Sequence, residues 1–397
     1  MPSSTLRRRW ALFLLFFLSG MSLSSWVTRT PAIRDLLQAT TGEMGLVLLG
    51  LSGGAMAGIL ASGPVCLRFG ARPVITVGNI GIVASMPTIG LGAAVGSPVL
   101  VVVGLFMFGV GSGGADVAMN VEGADVEKII RRPFLPLLHG GFSLGTVVGA
   151  LTGIAAIAGG LGVTWHLAAV GALALGLFLW SVRQLPPATG RAQRGDRQVS
   201  GGGSSGVWRD PRLLLIGLVV LAMALAEGAA NDWLPLVMVD GHGLDPALGS
   251  LVYAVFAASM TAGRFVGGPV IGRLGRAQAL AASAVLGGIG VLLVSLVNDV
   301  VIASAAVILW GLGASLGFPV ALSLAGDSGP NPAARVALAS TIGYIAFLVG
   351  PPLLGLVGDH VGLRHALLIP MVILFVGAGV AMVVGRSPAR PRASRSS

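Results

Sequence analysis

Uncharged stretches long enough to cross a bilayer recur along this whole chain, and no other feature restricts its fold so tightly. Residues 10–28 form one such stretch and 44–67 another; 73–115 and 133–165 are longer, and further ones lie at 277–298, 300–326, 336–358 and 365–385. A hydrocarbon core takes roughly 20 apolar residues per helix. Core helices of a water-soluble protein do not repeat at that length. Charged residues make up 10% of the chain and mean hydropathy is +0.90, where a soluble domain carries about 25% charge. The expectation is an all-α membrane protein with about twelve transmembrane helices. The opening RRRWALFLLFFLSG resembles a secretory leader, but more apolar spans follow it, so it reads as a retained helix.

Charge then sets the sidedness. With the N-terminus inside, the cytoplasmic set runs Arg7 to Arg9, Arg68 and Arg72, Lys128 to Arg132, Arg183 to Arg212, Arg264, Arg273 and Arg276, Arg335, and the tail from Arg386. Of the 25 basic residues, only Arg29, Arg34 and Arg364 fall outside it. That bias places both termini in the cytoplasm and the protein in the cell membrane. The formal charge of +10 therefore sorts by loop, without the dense basic face that nucleic acid requires. The lone Cys66 excludes an intrachain disulfide and supplies no metal cluster.

Spans are expected at 9–29, 43–65, 73–93, 98–121, 135–159, 164–183, 212–236, 246–269, 276–297, 300–325, 335–357 and 364–385. The Gly, Ser and Arg-rich 184–211 reads as a flexible cytoplasmic linker between six-helix bundles at 1–183 and 212–385, with a basic tail at 386–397. The halves look like parallel repeats. GPVCLRFGAR at 63–72 aligns with GPVIGRLGRA at 268–277, FGVGSGGADVAM with WGLGASLGFPVA, and HGGFSLGTVVGA with STIGYIAFLVGP, at a nearly constant offset. Gly109 with Gly113, and Gly145 with Gly149, read as close helix contacts.

With these repeats the chain resembles the major facilitator superfamily. The loop between second and third helices of that group reads roughly G-x-x-x-D-R-x-G-R-R. Gly63, Arg68, Gly70 and Arg72 match it, as do Gly268, Arg273, Gly275 and Arg276, but Leu67 and Gly272 stand where the aspartate belongs; an approximate third copy keeps Asp359. Without the aspartates, a backbone-capping role for these arginines is expected. GADVAMNVEG, RPFLPLLHGGFSLGTVVGA and EGAANDWLP resemble the bacterial fucose-permease-like subgroup. The resemblance implies two pseudo-symmetric bundles, alternating access and no enzymatic activity.

The buried charges supply site candidates. In AEGAANDWLP, Glu227 lies about 22 Å along its helix from Arg212, and shares a face with Asn231. A mid-membrane carboxylate costs at least about 2.5 kcal/mol. Glu227 therefore reads as a proton-coupling or substrate-contacting residue, a structural bond to another helix, or a gate. Asp232 lies near the far interface at a depth comparable to Arg29, which either pairs as a gate with Asp232, or with Glu227 deeper down, or is solvated independently of it; Trp233 belongs to an aromatic belt. Asp116 and Asn120 share a second polar face, with Glu122 just beyond it, and His139 shares one with Ser143. His139 either exchanges a proton with Asp116 or Glu122, or bridges two helices as a neutral ring. Trp26 and Ser22 either stack and bond a sugar or sit in the outer belt. Asn79 and Tyr253 are weaker candidates, and Asn298 with Asp299 reads as an outer turn.

GGGSSG at 201–206 lacks the ending of a nucleotide-binding loop, and no metal-ligand motif occurs, so no cofactor is expected. The expected function is proton-coupled uptake of a small polar solute, such as a sugar, by a monomer in the lipid bilayer. Proton-coupled export of amphipathic compounds and a non-transporting sensor are the alternatives.

Overall fold

The computed structural model describes residues 3–132, 134–191 and 204–386. Residues 192–203 of the expected linker and 387–397 of the expected tail lie outside the described residues. Among the described residues, 12 helices are long and apolar enough to cross a membrane.

In chain order the helices are α1 Ser3–Val27, α2 Thr30–Leu37, α3 Thr41–Phe69, α4 Ala71–Ala94, α5 Pro98–Ile130, α6 Leu135–Ala158, α7 Val163–Val182, α8 Pro211–Leu236, α9 Pro246–Leu274, α10 Arg276–Leu296, α11 Val300–Ala314, α12 Gly317–Asp327, α13 Pro332–Val361, α14 Leu363–Ala366 and α15 Leu368–Arg386. Polar caps start several of them. Thr40 and Glu43 form a reciprocal capping box on α3, Ser97 caps α5, and Asp299 accepts from the Val301 and Ile302 amides at the head of α11. Each satisfies amide groups that the first helical turn leaves without partners.

Two spans are broken. The tenth splits at Ser315 and Leu316 into α11 and α12, and the last splits at Leu367 into α14 and α15. After Pro235, α8 runs on as a π turn over Val237–Gly241. The fourth span also runs longer than the expected 98–121: the helix continues to Ile130.

The aligned loops fold alike. Gly70 ends α3 at φ +91° with its amide on the Cys66 carbonyl, and Gly275 ends α9 at φ +79° with its amide on the Ile271 carbonyl. Both adopt a left-handed backbone in which a side chain would be strained. Close helix contacts explain other glycines. A Cβ on Gly145 or Gly149 of α6 would stand 2.1 or 2.4 Å from the carbonyl oxygens of Phe17 and Met21 in α1. Gly109 of α5 meets the Leu51 carbonyl of α3 in the same way, at 2.2 Å.

By packing, the chain divides into two compact units, whose boundary crosses α8, α9 and α13. The first holds residues 1–199, 230–258 and 351–366; the second holds 200–229, 259–350 and 367–397. In the first, α3 and α4 pack on α5, and α1 packs on α6 and α7. In the second, α10 packs on α11 and α15.

Candidate transport site

Within the first unit, the strongest polar cluster centres on Arg8 near the start of α1. Its Nε donates to Glu122 Oε1 at 2.6 Å, and its Nη2 donates to Asp125 Oδ2 at 2.7 Å and to Thr189 Oγ1 at 3.4 Å. The Glu122 side chain is 0% exposed. A carboxylate so enclosed and so tightly paired holds α1 to α5. Glu122, one of the two acids with which His139 could exchange a proton, is carried with Asp125 by the helical extension of α5 to the head of α1. The same cluster reaches the backbone after the sixth span, where the Ala71 amide bonds the Thr189 carbonyl at 2.8 Å.

Asp116 is exposed on α5, and the Asn120 amide donates to its backbone carbonyl at 2.9 Å. His139 is exposed, its ring edge-on to Phe16 at 5.2 Å, while Ser143 is buried. Trp26 and Ser22 are fully buried, which removes Trp26 from an outer belt. Neither the Trp26 indole nitrogen nor the Ser22 hydroxyl bonds within the described protein. Asn79 is buried, its amide spent on the Ile75 carbonyl at 2.8 Å.

At the face opposite the N-terminus, the expected pair of Arg29 and Asp232 does not form. Arg29 donates to His166 Nδ1 at 3.1 Å and to the Leu161 carbonyl at 2.8 Å. It follows the end of α1 and heads α2, where it turns toward α7. Burial pushes its guanidinium below the usual arginine range. Asp232 is buried and makes no hydrogen bond or ion pair among the described residues; Trp233, expected in an aromatic belt, is wholly buried.

Other residues hold that face together. Arg34 pairs with Asp240 and, at 2.7 Å, with Asp35. Burial works against its charge, but the hydrogen bonds and negative charges of Asp240 and Asp35 outweigh it and hold the guanidinium above its ordinary range. Thr40 donates to Asp359 at 3.1 Å, the Ser250 hydroxyl donates to the Thr28 carbonyl at 3.0 Å, and Tyr253 donates to Asn231 Oδ1 at 3.3 Å. Gly45 lets α3 touch α13, since a Cβ there would stand 2.7 Å from the Pro351 carbonyl.

Within the second unit, Glu227 meets Arg264. Arg264 Nη2 stands 3.4 Å from Glu227 Oε1 and 3.7 Å from Met260 Sδ. Counted with the cytoplasmic basic set though inside the expected span 246–269, Arg264 lies inside α9, about 15 Å from its end. The signal was legible: it is the one charge between Asp245 and Arg273. Trp310, fully buried on α11, donates its indole N–H to the Ala226 carbonyl at 3.1 Å. That bond fixes α8 one residue before Glu227.

Among the described residues, the arginines of the aligned loops make no side-chain bond to backbone carbonyls. Arg276 pairs with Asp327 at the end of α12, and Arg68 lies over the Phe69 ring at 5.1 Å. Neither Arg72 nor Arg273 bonds a carbonyl through its side chain among the described residues. In the second copy, an acid from another helix thus takes the place of the missing aspartate. Gly63 and Gly268 have open space where a Cβ would lie. A parallel clamp holds the head of α8: Asp210 accepts from the Arg212 and Leu213 amides and from Arg335, which also donates to Ser328 Oγ at 2.6 Å and the Pro330 carbonyl at 3.0 Å. Burial would raise the Asp210 carboxyl, but Arg335 and the two amides hold it below the usual carboxylate range.

Twelve helices among the described residues long and apolar enough to cross a membrane, with a charged pair inside two of them, define a multi-pass membrane protein. The sequence profile of the Major Facilitator Superfamily matches residues 12–341, and the chain belongs to that family. It is a secondary transporter of small solutes and not an enzyme, with the fold of two six-helix bundles that the family shares. It is 29% identical over 375 residues to an uncharacterized MFS-type transporter of Yersinia pestis, covering 94% of each chain. Among solved structures it is similar to a nucleoside transporter (TM-score 0.79, 14% identity, 96% of this chain and 100% of that one). The fucose:proton symporter of E. coli is similar at a TM-score of 0.64, 17% identity, and 97% and 100% coverage.

Proposed function

We propose that this protein takes up a small polar solute, such as a sugar, together with protons, and that Glu227 carries the proton. The observation that carries this reading is the open pairing of Glu227 with Arg264 inside membrane-spanning helices. A carboxylate at such depth is costly unless it is paired or protonated, and a long contact lets it exchange one state for the other. The likeness to a fucose:proton symporter supports both proton coupling and a sugar-like solute. The bias of basic residues supports cytoplasmic termini and a cytoplasmic linker between two moving halves.

In proteoliposomes holding the full chain, Glu227→Gln should abolish accumulation driven by a pH gradient while leaving downhill exchange of the same solute. Accumulation that survives the substitution removes Glu227 as the coupling residue.

The gate belongs to Arg34 with Asp240, and Thr40 with Asp359, in place of Arg29 with Asp232. Such a pair at a hydrated face is weak enough to break in each cycle. Arg34→Asp and Asp240→Arg should each slow transport, and the double exchange should restore it. A double exchange as slow as either single one rejects the pair.

A further inference from the structure

We propose that Arg264 anchors the charged group of the transported solute, that this group is a monocarboxylate, and that Arg264 is released to it when Glu227 takes up a proton. The proposal rests on the proton-coupled reading above and narrows its solute class. It begins from how poorly Arg264 is satisfied. Six other ion pairs among the described residues close at 2.7 Å or less, whereas Glu227 with Arg264 stands at 3.4 Å. Charge-assisted bonds normally close to about 2.7–2.9 Å. Only Nη2 of Arg264 has protein partners, a carboxylate oxygen and a thioether, which leaves Nε and Nη1 unbonded within the described protein. Arg335, by contrast, spends Nε, Nη1 and Nη2 on one bond each, none longer than 3.0 Å.

A guanidinium inside a span, with donors to spare, is matched by an oxyanion that accepts two parallel bonds. Anion is favoured over cation because the basic partner is the more open one: the Arg264 side chain is 33% exposed and that of Glu227 17%. Arg264 is the one charged or titratable side chain recorded against Glu227 among the described residues. One positive charge matches a monoanion; a phosphate monoester would bring close to two negative charges.

The cycle balances. A proton from the uptake side joins the Glu227 carboxylate, which then releases Arg264; the solute carboxylate takes its place; on the other side both leave, and Glu227 returns to Arg264. Proton and anion together move no net charge.

The test uses purified full-length protein and a panel of acetate, lactate, gluconate, glucuronate and benzoate, with glucose and xylose as neutral counterparts. Thermal stabilisation is measured at about pH 5.5 and about pH 8, which changes the proton supply about three-hundredfold. At least one monocarboxylate should stabilise the wild type at the lower pH and lose that effect at the higher one. In Glu227→Gln the stabilisation should persist at both. Arg264→Lys should weaken binding about tenfold to a hundredfold, the loss of one charge-assisted bond, and Arg264→Gln should abolish it. A readout free of solute is dicarbonyl labelling of Arg264 followed by mass spectrometry, which should run several-fold faster in Glu227→Gln. Equal labelling in both proteins, no stabilisation by any monocarboxylate, or equal stabilisation of wild type and Arg264→Gln by a neutral sugar overturns the assignment. Anion binding without flux under a pH gradient would instead reject the coupled-uptake reading and leave the anchor in place.

Discussion

Arg8→Ala should destabilise the protein by about 3–5 kcal/mol, the cost of leaving one member of a buried ion pair uncompensated. The physical basis is the position of Glu122, whose side chain is 0% exposed and whose Oε1 accepts from Arg8 at 2.6 Å. Without the guanidinium, the carboxylate must stay ionised without a partner, take up a proton, or drag water to the head of α1. Asp125, 42% exposed, loses less because water replaces the bond. Thermal unfolding in detergent reads the loss, and replacing both Arg8 and Glu122 with methionine should recover most of it. An Arg8→Ala protein as stable as the wild type, or a double variant worse than the single one, would show that the pair does not bear on stability.

Gly145→Ala should lower stability by about 1–3 kcal/mol, the usual range for overpacking a tight contact. Alanine is the better helix former by about 1 kcal/mol, so propensity alone gives the opposite sign. Space decides: the new Cβ would stand 2.1 Å from the Phe17 carbonyl oxygen and 2.9 Å from the Met21 amide nitrogen. Both belong to backbone, so α1 as a whole must move away from α6. Gly176 in α7 has nothing within 4 Å of its own would-be Cβ. Gly176→Ala should therefore be neutral or stabilising. Parallel melting curves for the two variants compare the same chemical change with and without a neighbour, and equal shifts would reject close packing as the use of Gly145.

The spans were readable because their signal is local. A bilayer demands an apolar run of fixed length, and each run announces itself without reference to any other. The ends were less legible. Hydropathy marks where hydrocarbon stops, whereas helical hydrogen bonding continues into water; hence α5 reaches Ile130 with Glu122, Asp125, Glu127 and Lys128 aboard. The break between α11 and α12 left no trace in hydropathy either, since Ser315 and Leu316 lie inside an uncharged run.

The candidate residues divide along the same line. Glu227 stood out as a charge in an apolar run, and it lies inside α8 as expected. Its partner Arg264 is as visible, the one charge between Asp245 and Arg273, but a basic residue near a cytoplasmic end also satisfies the charge bias of the loops. Arg29 shows the harder limit: depth along a helix matched it to Asp232, yet depth says nothing about azimuth, and the side chain turns to His166 on α7.

What the amino-acid sequence determined alone is the set of membrane helices, the repeat of the Gly70 and Gly275 turns and the presence of costly charges among apolar residues. Each follows from a property of one segment: its length without charge, its need for a left-handed backbone, its price in hydrocarbon. Tertiary structure alone decided the pairings, Arg8 with Glu122, Arg34 with Asp240, Arg264 with Glu227. A partner is chosen by where helix faces meet, and packing between segments far apart in the chain sets those faces.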